Sequence, residues 1–225
     1  MEDYYDFYKR VFSVYFLIPV LLLSGTKLYG SHAQSADLTY KCLGGNQYEL
    51  SLSFYRDCAG VGASNSVSIN ISSASCGSNF SATLLPVAGT GNNVTPICAA
   101  VQTVCSGGKY PGVQEYVYKG TITLPSQCAD WIFSFSLCCR NAAINTIINP
   151  GGANIYVQAS LDNLNFPCNN SPVFSNKPIP FVCAGDKYCF NHGATDADGD
   201  SLAVSYTHLR AHETKANLVC RLLLE

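Results

Sequence analysis

Apolar and polar residues alternate with a period of two along much of the chain. Tyr48, Leu50, Leu52 and Phe54 fall in one register and Glu49, Ser51 and Ser53 in the other, which predicts a strand with one buried face. The same alternation recurs over 67–71, 122–124, 131–137 and 155–159. Between these runs, Leu43-Gly44-Gly45-Asn46, Gly89-Thr90-Gly91-Asn92, Ser106-Gly107-Gly108 and Asn149-Pro150-Gly151-Gly152 supply residues that tight reversals need. No stretch between 34 and 204 places apolar residues at helical spacing over three turns. The pattern therefore predicts an all-β fold, a β-sandwich by default, with a small barrel as the alternative that short strands and Gly-rich loops also allow.

The N-terminus reads differently. Lys9 and Arg10 precede an apolar run over 11–23, and Ser31-His32-Ala33 follows, which matches a basic region, an apolar region of about 7–15 residues and a small-residue cleavage site. Residues 1–33 are expected to be a signal peptide, although Glu2, Asp3 and Asp6 are unusual so early in one. A membrane anchor is the rival reading. A spanning helix needs roughly 20 apolar residues, and Ser13 and Pro19 interrupt this run, so no membrane span is expected in the mature chain.

Export changes the meaning of the cysteines. All 12 lie at or beyond residue 42, and in an oxidising compartment such a density implies disulfides. Structural zinc is disfavoured because no CxxC pair occurs and His192 is the only histidine between 34 and 204. The chain carries a net charge of only −2, with no basic stripe for a phosphate backbone, so nucleic-acid binding is not expected.

The expected organisation is a disulfide-bonded sandwich over 34–170, then the truncated start of an immunoglobulin-like module over 171–204. The proline-punctuated run from Ser171-Pro172-Val173-Phe174 to Lys177-Pro178-Ile179-Pro180 marks that boundary. Residues 205–225 break with the preceding composition and lean towards helix. The string Ser205-Tyr206-Thr207-His208-Leu209-Arg210-Ala211-His212 resembles translated sequencing-adaptor read-through, so a non-native tail is expected there, against a genuine C-terminal helix.

Candidate chemistry is sparse. Asp196, Asp198 and Asp200 put three carboxylates within five residues, hard ligands that suit calcium. The loop is not an EF-hand, since its glycine, Gly199, stands at the fourth position and no glutamate closes it; an Asp/Gly-rich turn is the plainer reading. No other cofactor is expected. His192 would have to serve any catalytic triad, and no nucleophile-elbow signature accompanies it. Glu49, Glu115 and the aspartates form no pattern that spacing alone pairs for glycoside hydrolysis. Sequons at Asn70, Asn79, Asn93 and Asn169 would suit a eukaryotic extracellular module.

Several stretches carry a resemblance. Thr39-Tyr40-Lys41-Cys42-Leu43-Gly44-Gly45-Asn46, Phe54-Tyr55-Arg56-Asp57-Cys58, Tyr110-Pro111-Gly112-Val113-Gln114-Glu115-Tyr116 and the run from Phe190-Asn191-His192 to Asp198-Gly199-Asp200 resemble gliding-motility-associated, type IX-secreted bacterial surface proteins. The resemblance covers about 34–204. It implies the N-terminal domain of a long protein with immunoglobulin-like or PKD-like repeats and a C-terminal sorting domain, placed on the bacterial cell surface. The function expected is that of a non-catalytic structural or adhesive surface module, whose unknown surface ligand is a glycan or a protein. The alternatives are the N-terminal part of a secreted hydrolase and a eukaryotic-type binding module.

Eleven cysteines remain if Cys220 is set aside with the tail. Cys183–Cys189 is expected to bridge locally, because 184–188 can turn the chain back. Cys98–Cys105 is the next local pair expected. Cys138 and Cys139 are expected to take different partners, because successive strand residues point to opposite faces.

Overall fold

The structure, a computed structural model, describes residues 33–95, 101–141, 144, 147–177, 191 and 193–205. It is all-β, as the periodicity predicts. The strands are β1 (Ala33–Gly44), β2 (Gln47–Asp57), β3 (Val67–Ser73), β4 (Ser78–Pro86), β5 (Asn92–Asn93), β6 (Val113–Thr123), β7 (Trp131–Cys138), β8 (Asn154–Leu161), β9 (Val173–Phe174) and β10 (Ala194–Thr195). Short 3-10 turns at Val104–Ser106 and Pro150–Gly152 complete the regular structure.

Pairing follows the order β1-β2-β6-β4-β3-β7-β8, with β5 beside β6. The path bends into two layers at β4. That strand pairs with β3 from Ser78 to Leu84 and meets β6 only at Leu85 and Pro86. Sheet A is thus β1, β2, β6 and β5, and sheet B is β4, β3, β7 and β8. The far ends of the path also approach each other: Ala33 bridges Arg140, and the Tyr40 hydroxyl donates to the Ser160 carbonyl at 2.9 Å. The result is a sandwich closed at one corner by β4 and drawn together at the other.

Alternation decides what lies between the layers. Leu38, Tyr40, Tyr48, Leu50, Leu52, Phe54, Tyr118 and Ile122 face inward from sheet A, and Ile69, Ile71, Leu84, Trp131, Phe133 and Phe135 from sheet B, all buried. Edge-to-face ring pairs cross the gap, Tyr40 with Phe133 at 5.5 Å and Phe54 with Phe135 at 6.3 Å between centroids, a geometry that aromatic quadrupoles favour. Gly120 on β6 allows a close approach, since a Cβ there would stand 2.6 Å from Leu84 Cδ2. The β1–β2 reversal uses Gly45 and Asn46 at φ 57° and 62°, left-handed conformations that glycine and asparagine adopt most readily.

β1 starts at Ala33, the residue expected to end the signal peptide. It is fully buried, its N–H donates to the Cys139 carbonyl at 3.3 Å, and its carbonyl accepts from the Asn141 N–H at 3.2 Å. Beyond β8 the chain returns along the open edge of β1. Ser171 exchanges hydrogen bonds with the Tyr40 backbone, and Asn170 Oδ1 accepts the Cys42 N–H at 2.8 Å. Pairing of β9 with β10 forms a small hairpin within 171–204. Of the expected tail over 205–225, residues 206–225 lie outside the described residues.

Candidate functional surfaces

The disulfides come first because they fix the frame. Cys42–Cys168, Cys58–Cys105 and Cys76–Cys128 span sequence separations of 126, 47 and 52 residues. The first ties β1 to the segment after β8, the second ties the end of β2 to the 101–112 loop, and the third ties the β3–β4 turn to the approach to β7.

Two cysteine expectations are overturned. Cys105 is bonded to Cys58 and so is not the partner of Cys98. The loop carrying Cys105 is drawn to β2 by the Cys58 N–H, which donates to the Gly112 carbonyl at 2.9 Å, and by the Thr103–Tyr110 bridge. Cys98, Cys183 and Cys189 lie outside the described residues. Cys138 and Cys139 are bonded to each other rather than to separate partners, across a cis peptide. Side chains alternate between faces only while a strand continues, and β7 ends at Cys138.

Beside the second bridge sits Arg56, which is buried although no carboxylate pairs with it among the described residues. Its guanidinium donates to Gln114 Oε1 and to the carbonyls of Cys58, Gly60 and Val61. It therefore organises the 58–61 loop from below, a role that no spacing in the sequence announces.

The acidic loop is compact. Carboxylate oxygens of Asp196, Asp198 and Asp200 lie within 4.8 Å of one another. They also accept protein hydrogen bonds. Asp196 Oδ1 takes the N–H groups of Asp198 and Asp200, Asp198 takes the Asn170 N–H and side-chain amide, and Asp200 takes the Asn169 amide at 3.4 Å. The loop is thus moored to the segment that edges β1. As a cation site it offers three converging carboxylates, hard oxygen ligands of the kind that calcium takes. Burial, with smaller contributions from Tyr48 and then from these carboxylates, pushes the Tyr40 phenol up to about 12.

Other acids stand in separate places. Glu49 pairs with Lys119 at 2.8 Å, while Glu115 accepts from Tyr55 at 2.9 Å and pairs with Lys177. Glu49 lies opposite Thr121 on β6, so the run along β6 back to Glu115 separates the two glutamates by roughly 20 Å at strand rise. That exceeds the spacing of a glycosidase pair by about twofold. His192 lies outside the described residues.

The outer faces of the two sheets differ sharply in chemistry. Sheet A presents Asp37, Lys41, Glu49, Glu115 and Lys119 outward. The strands of sheet B carry no charged residue at all. Its outward positions are in register across four strands, Ser81–Asn70–Ser134–Gln158 in one row and Asn79–Ser72–Ile132–Ser160 in the next. Tyr156 opposite Ser136, and Cys138 opposite Asn154, continue the face on β7 and β8. Alternation in the sequence marks β3, β7 and β8 but neither β4 nor this face, whose signal is the absence of Asp, Glu, Lys and Arg from four separate segments.

Comparison with protein-family models, curated proteins and solved structures finds no significant match to this chain. Fold and bonding define it as a disulfide-bonded, all-β sandwich protein. Its bridges are those of a protein folded in an oxidising compartment, as extracellular proteins are. Among the described residues no helix is long and apolar enough to cross a membrane.

Proposed function

We propose that the chain is a non-catalytic structural and adhesive module of an exported protein that works at the bacterial cell surface. The observation that carries this reading is the outer face of sheet B, a broad uncharged array of hydroxyls and amides on a frame held by three long-range bridges. Such a face has hydrogen-bonding capacity without a centre of charge, which suits contact with a ligand by area. The signal-peptide reading of 1–33 and the resemblance to gliding-motility-associated surface proteins support the surface address.

The test is export itself. Produced with residues 1–33 in a gliding bacterium and fused ahead of a C-terminal sorting domain, the chain should be degraded by protease added to intact cells, and its described cysteines should resist alkylation until reduced. Retention inside the cell with freely alkylated cysteines would overturn the reading.

A second reading concerns calcium at Asp196, Asp198 and Asp200, favoured by the convergence of their oxygens. Exposed carboxylates on a loop of this kind would bind weakly, in the range of about 10⁻⁴–10⁻³ M seen for extracellular modules. Calorimetry showing sub-micromolar affinity that Asp198→Ala abolishes would establish a self-contained site instead.

A further inference from the structure

We propose that Tyr156 and the Cys138–Cys139 disulfide form a binding site for a neutral glycan, with two adjacent sugar rings lying across β7 and β8. The inference rests on the adhesive reading and names the ligand class for that face. Two observations, independent of the face's lack of charge, converge here. Tyr156 is a large aromatic residue with 56% of its surface exposed, and its hydroxyl donates to Gln158 Oε1 at 2.8 Å, which holds the ring in one orientation along the strand. Cys138 is exposed at the end of β7 on the same outer face, and its bond to Cys139 spans a sequence separation of 1.

That second feature has no stabilising explanation of the usual kind. A disulfide stabilises chiefly by closing a long loop in the unfolded chain, and this one closes none, whereas the other three do. What it supplies is a small, polarisable, uncharged plate of sulfur at the surface.

Register places both residues on one outer face. Tyr156 pairs with Ser136 and Cys138 with Asn154, so Tyr156 and Cys138 are diagonal neighbours whose Cα atoms lie about 7–8 Å apart on an antiparallel sheet, with the phenol leaning towards Gln158. The C–H face of one sugar ring can rest on the phenol, whose π face is negative and attracts weakly positive C–H groups. The next ring can rest on the disulfide. Hydroxyl and amide groups of Ser136, Asn154 and Gln158 then stand beside the plates as donors and acceptors for sugar hydroxyls.

Charge selects among glycans. No strand of sheet B carries a cation to meet a uronate or sulfate. Arg140, two residues beyond Cys138, donates through Nε to the Asn154 carbonyl at 3.1 Å. An acidic polysaccharide would lose hydration without a matched array of partners, whereas a neutral one needs only the hydrogen bonds and stacking surfaces present.

Calorimetric titration of the full chain with cellohexaose, xylohexaose and mannohexaose, and with tetragalacturonate as the acidic counterpart, tests the site. At least one neutral hexaose should bind more tightly than tetragalacturonate. Tyr156→Ala should weaken that binding at least about tenfold, a change of about 1.4 kcal/mol, while Tyr156→Phe, which keeps the ring, should stay within about threefold. The paired Cys138→Ser/Cys139→Ser variant should weaken it about threefold or more, with near-ultraviolet circular dichroism confirming the fold. Binding by no neutral hexaose, preference for tetragalacturonate, or indifference to Tyr156→Ala would each overturn the proposal. None of these results bears on export or thiol state, so the surface-module reading fails or stands separately.

Discussion

The two sheets of the sandwich share one core but turn opposite chemistries outward. Sheet A is charged and is in part a contact surface within the chain. Lys177, from the segment after β9, pairs with Glu115 of β6, and Ser171 and Asn170 run along the edge of β1. Sheet B bears no charge on any of its four strands. Identical strand chemistry on the inside and divergent chemistry outside mean that folding does not dictate the difference. Sheet A uses charge to orient the segment beyond β9; sheet B keeps a neutral hydrogen-bonding face.

The largest expected effect tests whether the frame beneath both faces is the disulfides. Loops of 47, 52 and 126 residues each correspond to about 4–5 kcal/mol of lost unfolded-state entropy, comparable with the whole stability of a domain. Full reduction should abolish the cooperative thermal transition seen by circular dichroism. The paired variants Cys58→Ala/Cys105→Ala, on the sheet A side, and Cys76→Ala/Cys128→Ala, on the sheet B side, should lose similar amounts because their loops are nearly equal. A reduced chain that still melts within a few degrees of the oxidised one would show that the core alone holds the sheets together.

Next in size is the close contact of β6 with Leu84 of β4 at Gly120. A side chain at Gly120 would press on the buried Leu84, and overpacking of this kind costs about 1–3 kcal/mol. Gly120→Val is therefore expected to lower the unfolding free energy by that amount, read as a lower urea midpoint with an unchanged slope. A neutral outcome would mean that β4 shifts freely against β6, which would make its corner a soft joint between the two faces.

Smaller again is a pair of carboxylates that respond to acid in opposite ways. Asp130, beside sheet B, accepts hydrogen bonds from Ser73 and from both the hydroxyl and N–H of Ser75, which hold its carboxyl down at about 2. Its contribution is present above about pH 4 and is lost as pH falls towards 2. Asp37, on sheet A, is pushed above its ordinary value of 3.8 by burial, partly offset by the Leu38 N–H. Its ionisation is harder in the folded state, so stability falls as the pH rises from about 3.8 through that raised value, and the loss is complete above it. Asp37→Asn should stabilise at pH 7 by less than about 1 kcal/mol, because the group is only partly screened from water, and Asp130→Asn should destabilise at pH 7. Carboxyl carbon shifts followed by NMR should place the Asp130 midpoint below that of Asp37; the reverse order would refute both assignments.

Strands with large inward residues are legible in the sequence alone. β7 announces itself through Trp131, Phe133 and Phe135, and β2 through Tyr48 to Phe54. β4 does not, because Phe80, Ala82 and Leu84 alternate with too small a contrast in size among serines and threonine. The layer order escapes as well, since nothing local tells β6 to lie between β2 and β4. Of the surfaces, the acidic loop can be read from three aspartates in a row of five residues. The cysteine partners cannot. Local spacing favours Cys98 for Cys105, but the partner comes from the end of a strand brought near by tertiary pairing, and the alternation rule fails for Cys139 where the strand stops.

The smallest expected effect decides what the neutrality of sheet B is for. Asn70 lies exposed at the centre of that face, between Ser81 on β4 and Ser134 on β7. A lysine there would have open water above it and would meet no like charge across the strands, since their cross-strand neighbours are all neutral. Asn70→Lys should thus change stability by no more than about 0.5 kcal/mol, the ordinary range for a surface substitution, and Thr121→Lys on sheet A should behave similarly. If both hold in thermal melts, the absence of charge on sheet B is not a requirement of folding, and the same Asn70→Lys variant becomes a probe of contact made by the intact face. A loss of more than about 1.5 kcal/mol confined to Asn70→Lys would mean that this position is packed against something within the molecule, and the neutral face would then be a buried layer rather than a binding surface.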